Sequence, residues 1–269
     1  VYYSGYQEGQ VRRVYGGDPK FERPKVLTIE GRPAYLYATS GWNFTGGSRT
    51  VSHVLAVNPR RGEGPLPPLP RVLIIGDSIS LGYMPELQRL LQGKAIVEHS
   101  PGNAGHTGRG IENLDQWTGS ARWDLIHFNW GLWDLAYRPN GSKVTGLDKV
   151  NGTQTWPLPA YEQNLRELVR RLQKTGARLI WGSTTPVPEG EPGRFKGDEV
   201  RYNEIARGIM RESGIPIDDL YELMLPHAER WALKPGDVHY SKDGYAYLAG
   251  RVAAAIEKEL ESSSGASSQ

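Results

Sequence analysis

The chain has 269 residues, 38% of them hydrophobic, and its 32 Lys and Arg against 30 Asp and Glu leave a formal net charge of +2. The basic residues are scattered rather than gathered into a stripe that would neutralise a phosphate backbone, so we expect no nucleic-acid partner. No window approaches the roughly 20 apolar residues of a membrane-spanning helix, so we expect no membrane partner either. The absence of cysteine excludes disulfides, thiolate metal sites and cysteine nucleophiles.

Residues 1–65 have the composition of a small β-rich appendage with a linker. Three runs rich in β-branched and aromatic residues, at 25–29, 34–38 and 51–57, predict a meander of three strands. The Pro- and Gly-rich run 58–70 does not suit regular structure and is typical of a semi-rigid linker. Because so short a piece without disulfides is hard to stabilise alone, we expect it to pack on the main domain, on another chain or on sequence that this chain lacks.

From residue 66 to residue 262, strand-like and helix-like segments alternate. The predicted strands are 71–75, 95–99, 124–130, 177–183 and 215–217. The predicted helices are 84–91, 110–117, 161–172, 199–212 and 242–261, with a long loop at 136–159. Such alternation predicts one domain with a parallel sheet and helices on both faces. The low-complexity run 263–269 is predicted to be a disordered tail.

A serine lies at the turn where the first strand of this domain ends. The run Gly76-Asp77-Ser78-Ile79 directly follows the strand 71–75. Ligands bind beyond the carboxyl ends of the strands in such sheets, and a hydroxyl at a strand-to-helix turn is accessible to them. The serine N–H, at the helix N-terminus, can stabilise an oxyanion. The alternative is that Ser78 only caps the helix.

Three sequence blocks resemble the SGNH (GDSL) hydrolase superfamily. They are Gly76-Asp77-Ser78-Ile79 after the first strand, Gly105 in the loop after the second, and Asp237-Val238-His239 just before the last helix. The resemblance covers about residues 71–260 and is strongest to the bacterial members found beside polysaccharide-degrading modules. It implies a three-layer α/β/α sandwich with a flavodoxin-like parallel sheet. It also implies that Ser78 is the nucleophile, that His239 is the base, and that the N–H groups of Ser78 and Gly105 form an oxyanion hole.

The acid of this expected triad departs from the family spacing. A serine hydroxyl needs an imidazole to accept its proton, and the imidazole needs an acceptor that fixes its tautomer. The family acid lies three residues before the histidine, where this chain has Gly236, whereas Asp237 lies two residues before His239. We expect Asp237 to complete the triad. The alternative is that Asp237 is a turn residue and that a backbone carbonyl orients His239 in a Ser-His dyad.

The third family block is also altered. The family pattern Gly-x-Asn-Asp corresponds here to Gly131-Leu132-Trp133-Asp134, so the asparagine that donates to the oxyanion is missing. Trp133 takes its place, and its indole N–H offers one donor. Asn129 lies four strand residues away, about 13 Å, and does not substitute for it. We therefore predict that Trp133 is the third oxyanion-hole donor.

Three further residues are expected to contact substrate: Asp77, His106 and Trp156. Asp77 adjoins the serine and His106 adjoins Gly105, although a plain loop role is an equal alternative for His106. Trp156 lies in the long polar loop, where a flat aromatic face suits a sugar ring. Neither a metal-ligand spacing nor a dinucleotide or phosphate-loop pattern occurs, so no metal and no cofactor are expected.

The resemblance implies a serine esterase that removes short acyl groups, above all O-acetyl, from polysaccharides or oligosaccharides. The expected partner is an acylated carbohydrate or a small ester, and this substrate class favours a secreted or periplasmic location. Two alternatives stay open: a lipase, lysophospholipase or thioesterase, and a weakly catalytic carbohydrate-binding module that has kept the fold. The absence of a long apolar flap argues against long acyl chains, whereas the missing asparagine favours the binding module.

The N-terminal piece carries a second, shorter resemblance. Residues 21–37, with Phe21-Glu22-Arg23-Pro24 ahead of a hydrophobic strand, resemble the end of a five-bladed β-propeller glycosidase. This implies that a glycosidase-like domain precedes the chain in a longer protein with two activities.

Overall fold

The N-terminal strands form a three-stranded antiparallel meander. The computed structural model describes the backbone of residues 25–29, 32–42 and 49–57 and all atoms of residues 69–262. The three short ranges are strands β1 (Lys25–Ile29), β2 (Arg32–Trp42) and β3 (Arg49–Val57), which pair in that order. They confirm the predicted strands. Most of the linker and the tail 263–269 lie outside the described residues, and the domain boundary at residue 65 stays a prediction.

A five-stranded parallel sheet forms the centre of the main domain. After the meander come strands β4 (Arg71–Ile75), β5 (Ile96–His99), β6 (Leu125–Phe128), β7 (Tyr137–Arg138), β8 (Thr153–Gln154), β9 (Arg178–Gly182) and β10 (Ile217–Asp218). β7 and β8 pair with each other, and the rest form a sheet in the order β5-β4-β6-β9-β10. Numbered along the chain, this order is 2-1-3-4-5. The flavodoxin-like arrangement predicted for the sheet is confirmed.

Helices cover both faces of the sheet. They are α1 (Ser78–Leu90), α2 (Thr107–Thr118), α3 (Leu158–Gln173), α4 (Asp198–Glu212), α5 (Leu220–Met224), α6 (Ala228–Trp231) and α7 (Lys242–Glu261). α1 packs against α7 on one face, while α2, α3 and α4 pack side by side on the other. The three-layer α/β/α architecture is therefore confirmed. Among the described residues, no helix is both long enough and apolar enough to cross a membrane.

The first two helices of the domain begin earlier than the sequence predicted, because their capping side chains lie further upstream. α1 begins at Ser78, since the Asp77 carboxylate accepts a backbone N–H of the first turn at 2.9 Å. α2 begins directly after His106, whose side chain accepts the Arg109 N–H at 3.0 Å. Both helix N-termini therefore lie at the carboxyl edge of the sheet, beside the predicted site residues.

Helix α3 anchors the segment that follows β6. Its predicted apolar face is buried: Tyr161, Leu165, Leu168, Val169 and Leu172. Burying one such aliphatic side chain contributes roughly 1.5–3 kcal/mol, so this face holds α3 firmly on the sheet. The Tyr161 hydroxyl donates to the Trp130 carbonyl oxygen at 3.1 Å. The chain between β6 and α3 is thereby fixed at both ends.

The long loop 136–157 is more ordered than the sequence predicted. It contains the β7–β8 pair and a 3-10 turn at Pro139–Gly141. Arg138, which is buried, holds the loop by donating from Nη1 to the carbonyl oxygens of Val144 and Gly146. One arginine thus supplies hydrogen bonds that regular structure would otherwise provide.

Candidate active site

The strand-to-helix turn after β4 presents a serine. Gly76 and Asp77 follow the buried end of β4, and Ser78 is the first residue of α1. The Ser78 side chain is half-buried, and its backbone N–H has no acceptor among the described residues. The first N–H groups of a helix have no acceptor within the helix, and they form the positive end of its dipole. Ser78 therefore offers a hydroxyl and a free amide donor at the same place.

His239 connects this hydroxyl to a carboxylate. Its Nε2 lies 2.8 Å from the Ser78 Oγ, and its Nδ1 lies 2.7 Å from the Asp237 Oδ1. Both separations are those of hydrogen bonds. The carboxylate fixes Nδ1–H as a donor, which leaves the Nε2 lone pair to accept the serine proton. The structure thus brings together the three residues predicted as nucleophile, base and acid.

The two-residue spacing works because the chain turns sharply ahead of Asp237. Gly236 has a φ of +73°, in the left-handed region that glycine adopts without strain. The Asp237 Oδ1 accepts the backbone N–H of His239 at 3.0 Å as well as its imidazole N–H. Partial burial works to raise the pKa of Asp237, but these hydrogen bonds outweigh it and lower the pKa below its ordinary value. The carboxylate is therefore ionised at neutral pH, which favours a triad over a dyad.

Gly105 lies beside the serine turn, but its N–H already has a partner. The Ala104 N–H donates to the Gly76 carbonyl oxygen at 2.9 Å, which fixes this loop against the turn that carries Ser78. The Gly105 N–H donates to the Asn103 Oδ1 at 2.8 Å. The predicted oxyanion role of Gly105 therefore requires Asn103 to release this N–H when substrate binds. The sequence analysis missed Asn103, although a side-chain acceptor two residues before a turn N–H is a typical Asx-turn signal.

Trp133 keeps an unused indole N–H near this loop. A Cβ placed on Gly105 would lie 3.8 Å from the Trp133 Cε3, so the ring packs over that glycine. The ring is half-buried, and the Arg138 Cζ lies 4.7 Å from its centroid. The Nε1–H has no hydrogen-bond partner within the part of the chain that the structure describes. The ring therefore lies beside the loop that carries Gly105, and the role of its N–H as an oxyanion donor stays a prediction.

His106 is fixed as a neutral hydrogen-bond donor. Its Nδ1 accepts the Arg109 backbone N–H and the Trp156 indole N–H, each at 3.0 Å. Two donors at Nδ1 place the ring proton on Nε2, which bonds to nothing else in residues 69–262. Burial, together with the nearby charges of Arg138, Lys143 and Arg109, lowers the pKa of His106 to about 4. The imidazole is therefore uncharged at neutral pH.

Trp156 anchors the long loop to α2. A Cβ on Gly108 would lie 2.4 Å from the Trp156 Cζ2, so the indole occupies the space that a side chain at position 108 would fill. The indole N–H is taken by His106, and the Lys143 Nζ lies 4.6 Å from the ring centroid. The geometry favours an anchoring role over free sugar stacking, and substrate contact by Trp156 stays a prediction.

Asp77 is a helix cap with little access to solvent. Its side chain is 2% exposed, and its Oδ1 accepts the Ile79 N–H. Burial raises the pKa of Asp77 above its ordinary value, despite the nearby charges of Arg194 and His239. The structure offers no route for the substrate contact expected of Asp77, because the carboxyl group lies beyond the reach of solvent.

Two other histidines on these strands serve the core. The His127 Nε2 lies 3.2 Å from the Asp218 Oδ2 inside the sheet, where both side chains are almost fully buried. The His99 Nε2 lies 2.7 Å from the Ser80 Oγ, and burial lowers the pKa of His99 to about 4. Neither imidazole contacts Ser78. An acid-histidine pair away from the carboxyl edge is therefore part of the fold rather than of the site.

A buried ion pair supports the site and was not predicted. The Arg194 Nη1 lies 2.5 Å from the Glu191 Oε1, with side chains 7% and 3% exposed. The Arg194 Nε donates to the Leu132 carbonyl oxygen at 2.6 Å. A Cβ on Gly236 would lie 2.9 Å from the Gly190 carbonyl oxygen, so the same loop packs against the catalytic loop. No local pattern signals this pairing, because it depends on contacts between loops far apart in sequence.

Comparison with known families decides the class of the chain. The family model for GDSL-like lipases and acylhydrolases matches residues 74–247, a span that contains Ser78 and His239. The chain belongs to the GDSL-like lipase/acylhydrolase family. The comparison with curated proteins returned no significant match. The propeller-like resemblance of residues 21–37 found no support.

Solved structures share the fold of this GDSL-family hydrolase. The acetyl xylan esterase AlAXEase is 16% identical with a TM-score of 0.56, over 69% of this chain and 99% of that one. A lipase/acylhydrolase from Enterococcus faecalis is 16% identical with a TM-score of 0.59, over 71% and 97% of the two chains. A catalytic mutant of an acetylxylan esterase from Geobacillus stearothermophilus is 16% identical with a TM-score of 0.52, over 68% and 92%. At this identity they establish the shared SGNH fold alone.

Proposed function

We propose that this GDSL-family hydrolase is a serine esterase that removes O-acetyl groups from polysaccharides or oligosaccharides. The observation that carries the proposal is the series Ser78 Oγ, His239 and Asp237 Oδ1, joined by hydrogen bonds of 2.8 and 2.7 Å. This hydrogen-bonded triad also argues against a binding module without catalysis, because binding alone does not require an ionised carboxylate hydrogen-bonded to an imidazole.

The proposed reaction has two halves. The Ser78 Oγ attacks the ester carbonyl carbon while the His239 Nε2 takes the hydroxyl proton, and Asp237 stabilises the resulting imidazolium. The Ser78 N–H, with the Trp133 indole as a further donor, stabilises the tetrahedral oxyanion. Collapse of this intermediate breaks the ester bond, and His239 returns the proton to the leaving sugar hydroxyl. Water then attacks the acyl-enzyme by the same route and releases acetate.

The preference for acetyl is supported by the polar surroundings of the serine. A long acyl chain needs an apolar channel, whereas hydrogen-bonding or charged side chains lie in the loop that follows β5 and in the first turn of α2: Asn103, His106 and Arg109. Two of the similar structures are acetyl xylan esterases by name, which agrees with this preference.

One observation favours a second candidate, a lipase-type hydrolase for longer acyl chains. Large apolar side chains are exposed on two neighbouring loops: Val144 (50%), Leu147 (41%), Val150 (85%) and Phe195 (44%). The loops are joined by the Lys149 Nζ, which donates to the Glu191 carbonyl oxygen at 2.6 Å. Exposed apolar side chains on neighbouring loops suit an acyl chain or a lipid surface.

Hydrolysis of p-nitrophenyl acetate and p-nitrophenyl octanoate separates these functions. An acetylesterase has the higher kcat/KM for acetate, a lipase has it for octanoate, and a binding module cleaves neither. For a serine triad, Ser78→Ala and His239→Ala each lower kcat by about 10⁶-fold. Unchanged circular dichroism and melting temperature of both variants serve as the control for folding. Undiminished hydrolysis by folded Ser78→Ala protein would contradict the proposal.

A further inference from the structure

Three cations converge on the edge of the site that carries His106. Burial is the main cause of the low pKa of this imidazole, but Arg138, Lys143 and Arg109 each lower it further, which places their charges nearby. None of the three forms an ion pair with a carboxylate in the described part of the chain. We call Arg109, Arg138 and Lys143 the cation cluster.

Arg138 is the most buried member, with 4% exposure. Its guanidinium donates to the carbonyl oxygens of Val144 and Gly146 and to the Thr155 hydroxyl, all of them neutral acceptors. Its Cζ lies 4.7 Å above the Trp133 ring. A buried charge without an opposite charge costs far more free energy than a paired one. The carboxylate whose charge acts on Arg138 is Glu191, which is itself paired with Arg194, so the fold fixes here a cation that has no carboxylate of its own.

Arg109 lies where a cation destabilises its own helix. It is in the first turn of α2, at the positive end of the helix dipole, and no acidic residue accompanies it there. Its side chain is exposed, and its Cδ would lie 3.3 Å from a Cβ on Gly105. Glu112, one turn further along α2, forms no ion pair with it. Arg109 reaches over the loop beside Ser78 instead of stabilising the helix.

Lys143 extends the cluster from the long loop. Its side chain is exposed, its Nζ donates to the Thr155 carbonyl oxygen, and it lies 4.6 Å from the Trp156 ring centroid. Trp156 is in turn hydrogen-bonded to His106. Lys143 therefore lies on the same side of the site as the two arginines.

The acidic groups near the cluster do not neutralise it. Burial raises the pKa of Asp134 to about 7, despite its hydrogen bonds from Thr107, so this carboxyl is partly protonated at neutral pH. Burial also raises the pKa of Asp77. Glu191 is paired with Arg194. The uncompensated charge of the described residues at this edge is therefore positive.

We propose that the substrate is an anionic acetylated glycan, whose carboxylate or sulfate group binds the exposed side chains of Arg109 and Lys143, with the buried charge of Arg138 behind them, while its acetyl ester lies at Ser78. The inference rests on the esterase function proposed above. Guanidinium groups match the oxygens of such anions through charge-assisted hydrogen bonds. An exposed ammonium adds attraction over a longer range. The neutral His106 Nε2–H beside them provides a donor for a sugar hydroxyl.

Calorimetric titration of the Ser78→Ala protein measures this binding without turnover. The probes are a de-esterified oligogalacturonide, a sulfated galactan oligosaccharide and a neutral xylo-oligosaccharide of equal length. We expect an anionic probe to bind about 10-fold more tightly than the neutral one, equivalent to about 1.4 kcal/mol. The probe with the higher affinity identifies the anion as carboxylate or sulfate. Added salt should weaken the anionic complex selectively.

Variants that each remove one positive charge test whether the anionic probe binds at the cation cluster. Arg109→Gln and Lys143→Gln should each reduce the anionic preference, whereas Arg122→Gln should not. Arg122 is exposed and lies just before β6, at the opposite edge of the sheet. Equal affinity for charged and neutral probes, or an equal loss in all three variants, overturns the proposal. The esterase function fails separately, if hydrolysis of p-nitrophenyl acetate does not depend on Ser78.

Discussion

Two histidines at the same edge of the sheet have opposite hydrogen-bond environments. The Nδ1 of His239 faces the Asp237 carboxylate, whereas the Nδ1 of His106 faces the N–H groups of Arg109 and Trp156. An acceptor at Nδ1 keeps the proton there and frees the Nε2 lone pair, while donors at Nδ1 place the proton on Nε2. One imidazole is set to accept a proton, and the other is set to donate a hydrogen bond.

The contrast teaches that a histidine's role follows from its Nδ1 partner and from what lies at Nε2. His127 has a carboxylate partner in Asp218, yet it lies inside the sheet away from any serine turn. His239 alone among the histidines in residues 69–262 has a carboxylate on one nitrogen and a serine hydroxyl on the other. Both contacts together, rather than either one, define the proposed catalytic base.

Removing the carboxylate that accepts the His239 Nδ1–H should have the largest effect, because it removes the difference between the Nδ1 environments of His239 and His106. Asp237→Asn keeps the side-chain size but no longer holds the imidazole in one tautomer. We expect kcat for p-nitrophenyl acetate to fall by about 10⁴-fold, the size of effect seen when a triad aspartate becomes asparagine. The melting temperature of the variant controls for folding. A folded variant with nearly unchanged kcat would instead support a Ser-His dyad with a backbone carbonyl.

The proposed oxyanion-hole donors lie at the same edge of the sheet as His106, and they can be tested one at a time. The Ser78 N–H is free and the Gly105 N–H is occupied by Asn103, and the Trp133 indole is an unused side-chain donor beside this loop. Trp133→Phe keeps the aromatic plate and deletes the N–H. We expect turnover of p-nitrophenyl acetate to fall by about 100- to 1,000-fold. Unchanged turnover would show that the indole is outside the oxyanion hole.

Acid stability tests the neutral state of His106. Because its pKa is about 4 when folded, against 6.5 ordinarily, the unfolded chain binds a proton between these values that the folded chain does not. Stability therefore falls as pH falls through this window. His106→Asn keeps a capping acceptor but does not titrate. We expect it to reduce the loss of unfolding free energy between pH 7 and pH 5 by on the order of 1–2 kcal/mol, measured by urea denaturation. Equal acid sensitivity of variant and wild type would refute the neutral assignment.

Patterns of burial made the architecture predictable. The continuous apolar run of β4 is buried on both faces, and the helical spacing from Tyr161 to Leu172 matches the buried face of α3. The Gly-Asp-Ser turn and the Asp237-Val238-His239 run predicted which residues meet at the carboxyl edge. Local pattern and topology were sufficient for the architecture, whereas the pairing of Ser78 with His239 was implied by the resemblance to the SGNH superfamily.

The surroundings of the site were not predictable in the same way. The Glu191–Arg194 pair, the Asn103 contact to Gly105 and the stacking of Arg138 on Trp133 join loops that carry no periodicity. Asp77 was expected at the substrate because it adjoins Ser78, yet the helix cap turns it inward. Side-chain direction in irregular segments depends on tertiary contacts that the sequence pattern does not encode.

The central claim is that Ser78 is a nucleophile activated by His239. Labelling with a fluorophosphonate, followed by mass spectrometry of the digested protein, tests it most directly, because such probes form a stable bond with an activated serine hydroxyl. The account predicts one adduct, on the peptide that contains Ser78, and no adduct under the same conditions in folded His239→Ala protein. An adduct on another residue, or equal labelling of Ser78 without His239, would contradict the account.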